Sequence, residues 1–441
     1  MDNPRTRSGQ AVDNVEALHV DSPLMHSTTL TKKVGWQVYT EYVARFWLIG
    51  DDSSNVWLKL DNLQPSGSFK IRGIGYMIQR AMQKDHFTHP QLVSSSGGNA
   101  GLAVAYAGRQ LDIPVTVVVP KSTSELMKEK IEAEGARVIV HGEAWDEANA
   151  YAQKLLENTP ESVFLPPFDH PDLWEGHSSI VHELTDQLDK PPDAVLVSVG
   201  GGGLLNGIIL GLQDVGWSQV PVIAVETHGS NSFQASVVAG KLVTLDKIST
   251  IATSLGAKTV SSKSLELSLV HPVVPFAVSD GMAADAVKRF AADHRMLVEA
   301  ACGASLSVCY SNVIQDIIPT LTIDSNVVVI VCGGSNINID MIDVYSKKFP
   351  NPPIIVRSGS DVFLKLPGSD GSLAEKKIDT TKTPVNLEGY SLTNEEMRIV
   401  LDGVRTHENG GPAGPGAPIG EDSQPVTQQE LQVKMEMEAQ T

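Results

Sequence analysis

The stretch AVLVSVGGGGLLNGIILGL, residues 194–212, passes from a run of Val and Leu through four consecutive glycines into a helix-like sequence. Continuous β-branched runs are typical of strands that are covered on both faces, as in a parallel sheet. Similar runs occur in PVTVVVP, ARVIVHG, VPVIAVE and NVVVIVCGG, and they alternate with amphipathic stretches. The sequence therefore predicts an α/β fold with parallel-rich sheets covered by helices.

The glycine turn in this stretch predicts an anion site. It consists of Gly200, Gly201, Gly202 and Gly203. Because these residues have no side chains, their backbone amides and those of the following helix, from Leu204, are open to a ligand. The N-terminus of a helix favours a negative charge at the same point. We therefore expect an anion such as phosphate to bind here.

A dinucleotide site is an alternative interpretation of the same turn. Gly201, Gly203 and Gly207 fit a loose GxGxxxG pattern, and Glu226 ends the next strand, where a ribose-binding acid would lie. Position 206 is Asn206 rather than the third glycine of the stricter pattern. A nucleotide-dependent oxidoreductase thus stays open as a second hypothesis, and glycine can also mark nothing more than a tight turn.

A lysine motif lies earlier in the chain. Residues 65–73, PSGSFKIRG, place Lys70 at the end of a Gly/Ser-rich turn and directly before a helix-like run. An amine held on such a turn can condense with an aldehyde cofactor and then act as a base. Most lysines are solvated surface groups, so this interpretation depends on the other motifs. With the anion turn, Lys70 indicates a pyridoxal phosphate site.

A third glycine-containing turn suits a carboxylate. Residues 94–101, SSSGGNAG, join a predicted strand to a predicted helix. Open backbone amides at Ser96, Gly97 and Gly98 can hold a substrate carboxylate, and the Asn99 side chain can hydrogen-bond a phenolic oxygen. An ordinary helix N-cap is the alternative, since Ser and Asn are common at helix starts.

Composition narrows the class of partner. At 441 residues the chain is long enough for two lobes with tails, and its net charge of −18 repels nucleic acids and anionic membranes. A small-molecule substrate is the better match. Cys302, Cys309 and Cys332 have no metal-ligand spacing and favour a reducing compartment. With no transmembrane or targeting segment evident, we expect a cytoplasmic protein.

The predicted domain organisation follows from the change in composition along the chain. Its parts are a disordered N-terminal tail (residues 1–22), a large cofactor-binding domain (23–61 and 167–345), a small domain with the carboxylate loop (62–166), an extension of unknown role (346–404) and a disordered Gly/Pro-rich tail (405–441). The extension contains IIVRSG and a possible helix near residues 394–404.

Read as a set, PSGSFKIRG, SSSGGNAG, GGGGL and CGGSN (residues 332–336) resemble the L-serine and L-threonine dehydratase family, closest to its serine dehydratase branch. The resemblance extends over roughly residues 28–346 and includes PPFDHPDLWEGHSSI at residues 166–180. It implies a two-domain fold type II pyridoxal phosphate enzyme, related to tryptophan synthase β. It also implies deamination of L-serine or L-threonine by a homodimer.

The resemblance assigns roles to the motif residues. Lys70 would bond to the cofactor and act in catalysis, Phe69 would stack on its ring, and Asn99 would hold its phenolic oxygen. Cys332 would face the pyridine nitrogen, and residues 200–204 would cradle the phosphate. The substrate carboxylate would be held by residues 96–99.

A monovalent cation, expected to be potassium, is also implied by the resemblance. Its ligands would be the Glu226 carboxylate and backbone oxygens of Gly200, Ser230, Leu255 and Ala257. One carboxylate among carbonyl groups is a site of low charge, less suited to magnesium or calcium.

At Gly97 the sequence differs from the serine racemases of this group. Serine racemases of this group carry a serine at this position, where it serves as acid and base on the second face of the substrate. The resemblance therefore implies a site that eliminates but racemises poorly. Other pyridoxal phosphate chemistry, namely β-replacement or racemisation, and a non-catalytic cofactor-binding homologue stay open as alternatives.

Overall fold

The structure is a computed structural model that describes residues 17–34, 55–85, 87–322 and 324–350, and the backbone of three strands between residues 354 and 378. The possible helix at residues 394–404 and the predicted tail at 405–441 lie outside the described residues. So do residues 1–16 of the predicted N-terminal tail. None of the helices in the described part of the chain is long and apolar enough to cross a membrane.

The larger sheet combines strands from both ends of the described chain. Its strands are β1 (Leu24–His26), β2 (Asn55–Lys59), β7 (Ala194–Ser198), β8 (Val222–Thr227), β9 (Val273–Val278) and β10 (Asn326–Ile330). They lie in the order β1-β2-β10-β7-β8-β9, and all neighbours are parallel except β1 and β2. β7 and β8 are buried along their whole length and are mainly apolar, with polar residues only at their C-terminal ends.

The smaller sheet is fully parallel and is built from a single segment of the chain. Its strands are β3 (Gln91–Ser94), β4 (Val115–Val119), β5 (Arg137–Val140) and β6 (Ser162–Leu165), in the order β5-β4-β3-β6. A third, antiparallel sheet lies in the predicted extension and consists of β11 (Ile354–Ser358), β12 (Asp361–Pro367) and β13 (Leu373–Ile378).

Helices follow the strands of both parallel sheets. They are α1 (Thr28–Val34), α2 (Lys70–Asp85), α3 (Asn99–Leu111), α4 (Glu125–Ala133), α5 (Trp145–Glu157), α6 (Pro171–Gln187), α7 (Gly203–Asp214), α8 (Ser232–Ala239), α9 (Ser262–Ser268), α10 (Asp280–His294), α11 (Ala300–Tyr310), α12 (Ile314–Ile317) and α13 (Ile339–Lys348). Helix α6 packs against α2 and α7. The predicted α/β class with parallel-rich sheets is confirmed.

The N-terminal boundary of the sequence prediction needs a correction. Ser22, assigned to a disordered tail, is fully buried, and its hydroxyl donates to Asp61 at 2.7 Å. Val20 exchanges two hydrogen bonds with the Gln64 side chain, at 3.0 and 2.7 Å. A polar, aperiodic sequence gives no local signal for a segment whose order comes from contacts with distant residues. The remaining domain limits stay a prediction.

Candidate active site

The lysine turn is fastened to the loop that follows β10. The Phe69 N–H donates to the Cys332 carbonyl at 3.2 Å, and the Gly334 N–H donates to the Gly67 carbonyl at 2.9 Å. Gly67 and Gly334 have φ angles of +77° and +110°, which side-chain-bearing residues rarely adopt. The predicted PSGSFK and CGGSN motifs therefore form one unit, and α2 begins at its end with Lys70.

The Lys70 amine contacts the segment before α6 and the neighbouring aromatic ring. Its Nζ donates to the Pro167 carbonyl at 2.6 Å and lies 5.0 Å from the centre of the Phe69 ring. Burial lowers the pKa of Lys70 to about 8, in spite of the nearby Cys332 and Glu299. A larger fraction of this amine is therefore neutral near pH 7 than of an exposed lysine, as nucleophilic attack on an aldehyde requires.

His177 packs behind the lysine turn. Its ring meets the Phe69 ring edge-on at 4.9 Å between centroids. Burial holds the pKa of His177 well below its usual value, so the imidazole is neutral. Its Nδ1 has no hydrogen-bond partner within the described residues.

The glycine turn between β7 and α7 has no room for side chains. A Cβ on Gly201 would lie 2.2 Å from the Phe168 ring, and one on Gly203 would lie 2.6 Å from the Phe168 carbonyl oxygen. Gly202 has a φ of +90°, and α7 begins at the next residue. The turn thus presents backbone amides at a helix N-terminus, and these residues fit a phosphate group.

The predicted carboxylate loop precedes α3. The Gly98 N–H donates to the Ser96 hydroxyl at 3.3 Å, so this amide already has a partner. A Cβ on Gly97 would lie 2.5 Å from Thr123 Oγ1. The Thr123 side chain therefore covers the side of the loop on which a residue larger than glycine would project.

Asn99 joins the carboxylate loop to the loop after β10. Its Oδ1 accepts a hydrogen bond from the Ser335 N–H at 2.8 Å, and its Nδ2 donates to Glu299 at 2.9 Å. The structure therefore brings Lys70, Asn99 and Cys332 to one place, as the sequence predicted for a cofactor site. Both a hydrogen bond with Cys302 and burial raise the pKa of Cys332, so its thiol is neutral.

Glu226 lies near the end of β8, and its carboxylate faces the first turn of α8. Its fully buried carboxylate accepts hydrogen bonds from the N–H groups of Phe233 at 2.9 Å and Gln234 at 2.8 Å. Burial raises the pKa of Glu226 to about 8. Because this carboxylate is fully buried, a ribose hydroxyl could reach it only if the surrounding packing opened, which makes the dinucleotide interpretation less suitable.

The other predicted cation ligands lie around Glu226 and the glycine turn. A Cβ on Gly200 would lie 2.9 Å from the Leu255 Cα, so these two backbones are in contact. The Ala257 carbonyl accepts from the Ser232 hydroxyl at 3.0 Å, and Ser230 is fully buried. No cluster of three or more His, Cys, Asp or Glu residues is found among the described residues. A divalent-metal site of that kind is therefore not seen in this part of the chain.

Sequence reasoning missed three residues of the site. Phe168 lies within the quoted PPFDHP segment, but a lone aromatic residue gives no sign that it will pack on glycines. Thr123 and Glu299 belong to no recognisable pattern. Phe168 and Glu299 meet their partners only when the two sheets come together, whereas Thr123 meets Gly97 because β3 and β4 are neighbours in the smaller sheet.

The chain belongs to the family of pyridoxal-phosphate dependent enzymes, whose family model matches residues 44–333. Among curated proteins, the chain is 47% identical over 333 residues to an L-serine dehydratase/L-threonine deaminase of Homo sapiens, covering 74% of this chain and 93% of the relative. It is 41% identical over 332 residues to an L-serine dehydratase of Dictyostelium discoideum, covering 73% and 90%. The predicted family resemblance is thereby confirmed.

Solved structures agree with the fold. A fungal L-serine ammonia-lyase from Rhizomucor miehei has a TM-score of 0.69 and 52% sequence identity, and the match covers 76% of this chain and 100% of that one. A threonine deaminase from Solanum lycopersicum, at 23% identity and a TM-score of 0.64, shares the fold over 75% of this chain and 88% of that one. The predicted fold type II class is confirmed.

Proposed function

We propose that this protein is an L-serine/L-threonine ammonia-lyase, which removes water and then ammonia from the substrate to give pyruvate or 2-oxobutanoate. The observation that carries the proposal is the direct hydrogen bonding that gathers three separate motifs around the Lys70 amine. The names of the relatives that are 41–52% identical support the same reaction.

The residues of the site fit pyridoxal phosphate. We propose that Lys70 bonds to it, Phe69 packs on its ring, Asn99 holds its phenolic oxygen and Cys332 faces its pyridine nitrogen. Residues 200–204 would bind its phosphate. The cofactor, when bound, withdraws electrons from the substrate Cα and so makes the Cα hydrogen acidic.

The side chains of this protein then have two tasks. The backbone amides of residues 96–99 would hold the substrate carboxylate, with the Gly98 N–H exchanging its bond to the Ser96 hydroxyl for one to the ligand. This would fix the Cα within reach of Lys70. The Lys70 amine, with its lowered pKa, would accept the Cα proton as a general base. A neutral Cys332 thiol cannot serve as a strong acid beside the ring, which disfavours racemisation and transamination.

The test uses the purified protein. We expect pyridoxal phosphate to give a visible absorbance band with the protein, and L-serine or L-threonine to give ammonia with pyruvate or 2-oxobutanoate. An amino-acid panel would show the preference between them. Absorbance without ammonia would favour a non-catalytic homologue or β-replacement. Tight NAD binding without this absorbance would favour the oxidoreductase.

Gly97 and Thr123 give a prediction on reaction specificity. We expect no D-serine from the wild-type protein, since no side chain at position 97 is present to exchange a proton on the second face. Gly97→Ser should lower pyruvate formation about tenfold, because the added side chain overlaps Thr123 and shifts the loop proposed to hold the substrate carboxylate. Gly97→Ser/Thr123→Ala should recover part of the rate. Chiral chromatography and a pyruvate assay measure both products; substantial D-serine from the wild type would contradict the prediction.

A potassium ion is proposed at Glu226, with backbone oxygens of Gly200, Ser230, Leu255 and Ala257. The fully buried carboxylate and the neighbouring carbonyl groups support a site of low charge. Raising K⁺ to about 100 times its Kd should increase the free energy of unfolding by about 2.7 kcal/mol. Tetramethylammonium, too large for such a site, should not. Glu226→Gln should lose most of this K⁺ dependence, which urea titrations would measure; equal stabilisation by both cations would contradict the site.

A homodimer is proposed on the resemblance alone, and a cytoplasmic location on the cysteine usage, which favours a reducing compartment. Sedimentation of the purified protein at several concentrations would measure its mass, and cell fractionation would test its location. A monomer at all concentrations would contradict the first part of this proposal.

A further inference from the structure

Glu299 is a buried carboxylate that the proposed reaction does not use. It lies directly before α11, and only 5% of its surface is exposed. Its two oxygens accept separate hydrogen bonds, from Asn99 Nδ2 at 2.9 Å and from the Asn336 N–H at 3.3 Å. Burying a carboxylate is costly unless it is well hydrogen-bonded, so these partners are needed to hold it.

The carboxylate fixes the orientation of the Asn99 side chain. A backbone N–H can only donate, so the Ser335 N–H, at 2.8 Å, identifies the Asn99 atom facing it as the oxygen. The Glu299 oxygen that faces the other Asn99 atom, at 2.9 Å, is the acceptor, so that atom is the nitrogen. The two assignments agree. One of the two N–H bonds of Asn99 is thereby directed at Glu299.

The second N–H of Asn99 has a weaker protein partner. Its contact with the Ser254 hydroxyl is 3.5 Å long, at the limit for a hydrogen bond. This N–H is therefore the one available to a bound ligand. Since Asn99 is the residue proposed to hold the phenolic oxygen, the direction of this bond matters for cofactor binding.

The backbone around Glu299 is shaped to admit it. A Cβ on Gly334 would lie 2.0 Å from the Glu299 carboxylate carbon, so only glycine leaves space for the acid. Gly334 also donates its N–H to the lysine turn at Gly67. Gly334 therefore both leaves space for the Glu299 carboxylate and holds the lysine turn in place.

We propose that Glu299 is a positioning residue: it locks the Asn99 carboxamide so that one N–H remains for the phenolic oxygen of pyridoxal phosphate. This inference rests on the proposed function. Burial raises the pKa of Glu299 above its ordinary value, and the hydrogen bonds that it accepts from Ser254, Asn99 and the Asn336 N–H oppose this rise. Glutamine has only one acceptor oxygen at this place and cannot serve every donor.

The first experiment is Glu299→Gln, tested by titrating the apoprotein with pyridoxal phosphate and following the visible absorbance. We expect about a tenfold weaker Kd, the factor that 1.4 kcal/mol represents, and a shifted absorbance maximum. The matched control is Glu266→Gln, on the surface of α9, where the carboxylate only pairs with Lys263. It should behave as the wild type. An unchanged Kd and spectrum for Glu299→Gln would overturn the proposal.

A second variant tests whether cofactor affinity merely follows the stability of the fold. In Glu299→Gln/Asn99→Asp, the new amide at position 299 can donate to the new carboxylate at position 99, while that carboxylate still accepts from Ser335. The Tm of the apoprotein should therefore return towards the wild-type value. Cofactor affinity should stay low, because position 99 no longer offers an N–H. Recovery of affinity with the Tm would show that Glu299 only stabilises the fold.

Failure of the two proposals can be told apart. If the wild-type protein gives no visible band with pyridoxal phosphate, the proposed function fails. If the wild type and Glu266→Gln give the band, and Glu299→Gln gives it with the same Kd and maximum, only the role of Glu299 fails.

Discussion

Lys70→Ala is expected to abolish both ammonia release from L-serine and the visible absorbance of bound pyridoxal phosphate. The Lys70 amine is proposed both to bond to the cofactor and to accept the Cα proton. Loss of a positioned general base alone costs about 10²–10⁴-fold in rate, so the variant should fall to the background of the ammonia assay. Absorbance of the dialysed protein measures the first effect, and coupled ammonia detection the second.

The matched control for this variant is Lys84→Ala. Lys84 lies on the same helix, α2, but near its exposed end. It should keep the wild-type spectrum and rate. The Tm of apo Lys70→Ala shows whether the variant is folded. Turnover retained by a folded Lys70→Ala protein would refute the assignment of the site.

The parts of the fold that the sequence predicted well are those set by local pattern. Strand β7 is a continuous apolar run, because both its faces are covered, and the glycines after it mark its end. The predicted helix at residues 204–212 corresponds to α7, Gly203–Asp214. In the site, Gly201 and Gly202 could be predicted because only glycine satisfies the close contacts and the positive φ.

The parts that could not be predicted depend on contacts between distant residues. Glu299 meets Asn99 across 200 positions of the sequence, and a single glutamate before a helix has no distinguishing pattern. Ser22 was assigned to a tail because its neighbours are polar, yet it is held by partners 39 and 161 positions away. Tertiary contact, rather than local propensity, orders both residues.

A buried ionic cluster connects this N-terminal segment to the lysine-bearing helix. Arg72, in the first turn of α2, forms two hydrogen bonds with Asp61, at 2.7 and 2.8 Å, and also binds Glu183 on α6. Lys59, at the end of β2, forms an ion pair with the same Glu183 carboxylate. All four side chains are at most 4% exposed. Burial would raise the pKa of Asp61, but the Arg72 guanidinium holds it below its usual value.

Removing the arginine should destabilise the fold strongly. Arg72→Met keeps most of the side-chain volume but leaves two carboxylates facing one lysine in the interior. Breaking a buried ion pair by removing one partner costs about 3–5 kcal/mol. We expect a loss of this size in the free energy of unfolding, measured by urea titration of the apoprotein, with weaker cofactor binding because Lys70 lies two residues away.

Arg80→Met on the same helix is the control for this prediction. Arg80 is half exposed, and its ion pair with Asp172 is long, at 3.9 Å. Its removal should therefore change the free energy of unfolding by no more than about 0.5 kcal/mol. If Arg72→Met does not yield folded protein, Asp61→Asn serves instead. It keeps the shape and removes one charge, with an expected loss of about 1–3 kcal/mol. If the Arg72 and Arg80 variants were equally stable, the ionic cluster would contribute no net free energy to folding. Burial of apolar side chains alone would then hold α2 in place.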